Sequence, residues 1–81
     1  MTHPTEPDLS SLYRIKIRGR LKESWSDWFD GMTIEFAIGA DEKPITTLTG
    51  VIADQSALYG VLNRVRDLGL RLLAVERIDP D

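Results

Sequence analysis

From Leu12 to Leu21 the chain alternates without a break, and this constrains the fold more than any other feature. Tyr13, Ile15, Ile17, Gly19 and Leu21 fall on one parity. Arg14, Lys16, Arg18, Arg20 and Lys22 fall on the other. A period of two is the repeat of a strand with one face buried and one in water. Such a strand needs paired neighbours and a cover for its apolar face, and the rest of the chain has to provide both.

Three further strands are legible. Met32 to Ile38 alternates again, with Met32, Ile34, Phe36 and Ile38 inward and Thr33 and Glu35 outward. Gly39 to Pro44 reads as a polar hairpin loop, and Ile45 to Ala53 is rich in Thr, Val and Ile. Leu70 to Ile78 forms the fourth. The cover is a helix between the last two strands. Asp54 suits its N-cap; Leu58, Val61, Leu62, Val65 and Leu68 make an apolar stripe; Gly69 supplies a left-handed stop. The stripe places Leu62 inward and Arg66 outward. The expected fold is α+β in the order β-β-β-α-β, a four-stranded mixed sheet with one helix packed on one face. Strands three and four, joined through the helix, should point the same way. The domain is expected over residues 12–78, with a flexible N-terminal tail over 1–11 and a short polar C-terminal tail over 79–81.

Residues 24–31, SWSDWFDG, interrupt the alternation. Ser24 with Asp27 suggests a helix-start cap, and Trp25, Trp28 and Phe29 share a face at helical spacing, before an Asp30-Gly31 turn. The cluster reads either as a plug closing one end of the core or as a contact surface for a partner or ligand, with a division of the aromatics between the two as a third reading.

Several chemistries are excluded by the absence of residues. There is no cysteine, and the single histidine is His3. Disulfides, thiolate catalysis and histidine-based acid–base pairs therefore have no residues to use. No Gly-rich phosphate loop is present, and Asp27 with Asp30 lacks the ligand spacing of a calcium loop. Asp54 is a candidate base or metal ligand only in principle, since a cap accounts for it and no second carboxylate lies at helical spacing. No cofactor is expected and the chain does not read as an enzyme. The net charge of -3 argues against nucleic acid, and no apolar run approaches a membrane span, so the default compartment is the cytoplasm.

Two contact surfaces remain. The basic stripe, Arg14, Lys16, Arg18, Arg20 and Lys22, fits either a solvated face balanced by Glu35 and Glu23 or a site for an anion or acidic partner. The fourth strand has Leu72 and Ala74 on one parity and Leu73 and Val75 on the other. One helix shields one face, so Leu73 and Val75 should stand on the second, where a second copy of the chain would cover them. A β-bulge after the helix is the competing account. The expected function is a non-enzymatic interaction or regulatory module that forms a homodimer and binds another protein. The alternative is a small-ligand or anion-binding domain, which requires Arg14, Arg18 and Arg20 to converge on a pocket. Trp25 and Trp28 join the candidate contact residues.

GRL at 19–21, Trp25, Trp28-Phe29, Leu48-Thr49-Gly50, Asp54-Gln55, Leu58, Gly60 and DLGL at 67–70 occur in one order. Together they resemble a group of small bacterial proteins of unknown function. Ser56 stands where that pattern has alanine, and Tyr59 where histidine is frequent. The resemblance implies no activity.

Overall fold

The computed structural model describes residues 10–78. The elements are β1 (Ser11–Arg18), a 3-10 helix η1 (Glu23–Phe29), β2 (Thr33–Ile38), β3 (Pro44–Ile52), α1 (Gln55–Asp67) and β4 (Arg71–Arg77). The tails expected over 1–11 and 79–81 lie outside the described residues, apart from Ser10 and Ser11, and Ser11 already belongs to β1.

The β-β-β-α-β order is as expected. The sheet order is β2-β3-β1-β4, so β1 occupies the interior between β3 and β4. β3 and β4 do point the same way. They are not neighbours, however, and every adjacent pair is antiparallel. The sheet is thus antiparallel where a mixed one was expected, because β1 inserts between the two strands that the helix connects. α1 crosses over β1 on the same face to make that connection.

The core forms on this inner face. Ile15 and Ile17 of β1, Leu48 of β3, Phe29 of η1, and Val61 and Val65 of α1 are all at most 2% exposed. Leu21, Met32, Ile34 and Ile52 complete it, and Leu58, Leu62 and Leu68 pack at its margin. Asp54 caps α1, its carboxylate accepting from the Ala57 N–H at 2.8 Å. At the other end the Gly69 N–H donates to the Arg66 carbonyl and the Leu70 N–H to Val65, with Gly69 at φ 75°. This is a Schellman close, and it sets Leu70 against the helix it has just left.

β1 ends at Arg18, three residues before the alternation does, because Gly19 adopts φ 116°. The chain then turns across the start of β3. The buried Thr46 hydroxyl fixes the turn by donating to the Gly19 carbonyl at 2.7 Å and accepting from the Leu21 N–H at 3.0 Å. η1 follows, with Lys22 at its N-cap and no side-chain cap, so the expected Ser24 cap is not used. The segment closes through Asp30 and Gly31, both at positive φ, and the Ser26 hydroxyl donates to the Met32 carbonyl at 2.7 Å. Met32 then passes directly over Gly50. A Cβ at position 50 would stand 3.0 Å from Met32 Cγ and 3.4 Å from its Cα, so the absent side chain lets two backbones approach.

Two outcomes are expected from this packing. Phe29→Ala should cost about 3–5 kcal/mol, and Trp28→Ala less than half as much, because Phe29 is fully enclosed while Trp28 is 39% exposed. Urea denaturation midpoints check this, and equal losses would place Trp28 in the core. Gly50→Val should lose about 1–3 kcal/mol through collision with Met32, whereas Gly60→Ala, with open space around it, should be tolerated.

Candidate interaction surfaces

The outer face of the sheet follows from the strand registers, because paired residues share a face. Arg14, Lys16 and Arg18 of β1 stand opposite Thr49, Thr47 and Ile45 of β3. On the other side they stand opposite Glu76, Ala74 and Arg71 of β4. β2 adds Thr33, Glu35 and Ala37. The face is mostly threonine and charge. Its cations are partly compensated: Arg14 lies 3.5 Å from Glu76, and Arg18 lies 2.9 Å from Asp41 in the β2–β3 loop. Glu35 does not adjoin the stripe as expected, since Thr47 separates it from Lys16.

Only three of the five basic residues belong to the strand. The Gly19 turn sends Arg20 over the ring of Phe36, 4.6 Å from its centroid. Phe36 pairs with the buried Thr46, so this contact is on the inner side of the sheet. Lys22 is exposed at the start of η1. Arg14, Arg18 and Arg20 therefore line two different faces and do not converge on one pocket. Arg20 and Lys22 instead border a shallow cleft of about 290 Å³ floored by Leu21, Ile34 and Phe36.

The aromatic cluster divides. Trp25 and Trp28 pack edge to face at 5.3 Å and remain 38% and 39% exposed, while Phe29 is fully buried. The 3-10 geometry explains this. With three residues per turn, Trp25 and Trp28 eclipse each other and Phe29 turns about 120° away, so the face expected from α-helical spacing is split. The Arg64 guanidinium reaches the Asp30 carboxylate at 3.4 Å and joins α1 to the end of η1.

β4 carries the third surface. Its register against β1 slips between Lys16 and Ile17: Val75 opposes Ile15, Ala74 opposes Lys16, and Leu72 opposes Ile17, which leaves Leu73 as an extra residue. This bulge puts Leu72 and Val75 on the same inner face although they are three apart. Val75 is therefore on the helix side and not on the outer face where the sequence placed it. Leu72, Leu73 and Val75 are 44%, 38% and 37% exposed. Alternation also hides the exposure of Phe36 and Ile38, which share the inner parity of β2 but extend past the helix, and of Val51 on the outer face.

Three polar side chains of this framework are engaged in structural bonds: Asp54 in the cap, and Ser26 and Thr46 with backbone carbonyls. Among the described residues no three His, Cys, Asp or Glu side chains group to hold a metal ion, and no helix is long and apolar enough to cross a membrane. The Asp41 carboxyl is shifted from its ordinary value. The Lys43 backbone N–H, first of all, holds this carboxyl below the ordinary value of 3.8; desolvation opposes it, and the Arg18 guanidinium adds a further lowering. A depressed carboxyl stabilises the fold above its unfolded value and loses that contribution as pH falls through the folded one. Carboxyl NMR titration should give Asp41 a midpoint below 3.8, and Arg18→Ala should restore only part of the difference, since the Lys43 N–H remains.

No curated protein and no solved structure matches this chain. One family model matches residues 12–76, from the second residue of β1 to the last but one of β4, and so takes in nearly all of the elements and surfaces described above. By that match the chain belongs to the family described as Domain of unknown function (DUF8691).

Proposed function

We propose that this domain is a non-enzymatic interaction module that pairs with a second copy of itself and acts on a partner protein. One observation carries the reading. Among the described residues nine large apolar side chains are exposed, against ten apolar side chains in the buried core. Single exposed apolar residues are ordinary, but contiguous ones on a small chain mark an interface. Here they are grouped: Leu72, Leu73 and Val75 along β4, Phe36 and Ile38 along β2, and the edge-to-face pair Trp25 and Trp28. Rigid aromatic pairs of the last kind are the side chains that anchor protein interfaces.

The basic outer face supports an anion-binding role less well. Arg14 and Arg18 already face carboxylates, and Arg20 is turned to the opposite side of the sheet. The likeness of the sequence pattern to small bacterial proteins supports a bacterial origin.

Sedimentation equilibrium from micromolar to millimolar protein tests the reading. The expected result is a mass that rises from 9.1 kDa toward twice that value. A constant monomer mass over the whole range would overturn self-association.

A further inference from the structure

The two edges of the sheet are unequal as sites for a second copy. β2 and β4 both present unpaired backbone groups along their free sides. A two-fold pairing of β2 strands centred on Phe36 would oppose the two Phe36 rings and bring together the two Arg20 guanidinium groups stacked on them. That edge is guarded by positive charge. On β4 a cation, Arg71, and a carboxylate, Glu76, share the outer face, so a self-pairing can set opposite charges together.

We infer that two copies join through their β4 edges in antiparallel register, with Arg71 facing the partner's Glu76 and Leu72 facing the partner's Val75. The inference rests on the self-association reading and specifies its surface. In such a pairing the two-fold axis is perpendicular to the sheet, so each residue must meet one on its own face. The β1 register fixes those faces. Arg71 and Glu76 are outer, opposite Arg18 and Arg14; Leu72 and Val75 are inner, opposite Ile17 and Ile15. Matching 71 to 76 and 72 to 75 satisfies the rule at both pairs. Moving the register by one residue fails it, because Leu72 would then meet the partner's Glu76 or Ala74, both outer. The bulge at Leu73 makes this possible. In an unbulged strand, residues 72 and 75 would point to opposite faces and β4 could not match itself here.

Charge points to the same register. Arg71 has no carboxylate partner among the described residues, and its cross-strand neighbour is another cation, Arg18. Like charges directly opposite each other destabilise a sheet. The pairing delivers the partner's Glu76 to that position, and symmetry does so twice. Glu76 can serve both neighbours, because its contact with Arg14 is long, at 3.5 Å, and 46% of its side chain is exposed. The inner side gains as well. Leu72 and Val75, which α1 leaves partly open, meet their counterparts and the two helices flank one continuous eight-stranded sheet.

Charge reversal is the test. Arg71→Glu and Glu76→Arg should each raise the dimer dissociation constant roughly tenfold, about 1.4 kcal/mol, since two symmetric attractions become repulsions. The double variant Arg71→Glu/Glu76→Arg should recover most of the lost affinity. Far-ultraviolet circular dichroism of each variant guards against misfolding. Isotope-filtered contacts between Leu72 and Val75 methyls of differently labelled wild-type copies give a readout free of mutation. Wild-type protein that dimerises with neither these contacts nor any response to charge reversal would overturn the β4 pairing and leave self-association through another surface. Wild-type protein that stays monomeric would remove both.

Discussion

A four-stranded sheet offers more inner face than one short helix can cover. The thirteen residues of α1 make a rod about 20 Å long and some 10 Å across. Four strands spaced about 4.8 Å apart span roughly 19 Å in width. The deficit shapes the molecule. α1 runs from β3 to β4 across β1, and the remaining cover comes from the β1–β2 connection, which has to cross β3 to reach its strand. Its 3-10 segment lowers one aromatic, Phe29, into the gap. Met32 follows close enough to the sheet that a side chain on Gly50 would push against it. What remains uncovered, the distal part of β2 and the inner side of β4, is the surface that the domain presents to others.

Features set by near neighbours in the chain were legible in the sequence. The β1 alternation, the Asp54 cap and the Gly69 stop each depend on a few consecutive residues; cap and stop appear where the pattern puts them, and the strand appears as far as Arg18. The aromatic cluster was legible in content but not in orientation. Spacings of three and four coincide on an α-helix and separate on a 3-10 helix, and nothing local in SWSDWF decides between them. Strand order is non-local by nature. That β1 separates β3 from β4 follows from which apolar faces can be closed together, not from any one segment.

The candidate site shows the same division. The five cations looked like one stripe because parity counts through a turn. Gly19 ends the strand, so three cations remain on the outer face and Arg20 finds a ring on the other. The mixed parity of Leu72, Leu73 and Val75 did signal something real. Of the two accounts it allowed, the bulge is present, and it moves Val75 from the outer face to the inner one, away from the outer-face cover that the parity suggested. The proposed β4 pairing uses that same bulge at a different place, the strand edge. A bulge at an edge commonly spoils pairing by breaking its regularity; one placed at the centre of a nearly palindromic run of charge, apolar residues and opposite charge instead restores it.

The central position of β1 also bears on how the domain assembles. β1 is the first strand made, yet both its partners come much later; Arg14 and Glu76, which face each other across the sheet, are 62 positions apart. No hairpin joins β1 to either neighbour. Folding must therefore close long loops before its most buried strand gains a single pairing, a topology associated with slow formation for its size. The β2–β3 hairpin is the unit able to form early, with its tight polar turn. β1 can dock on that hairpin next, and its remaining edge then stays open until the helix has carried β4 into place. For that interval the strand that will lie inside the sheet displays a free edge. The alternating arginines and lysine along it are then what keeps one nascent chain from pairing with the next, a protection that matters most before the native structure exists.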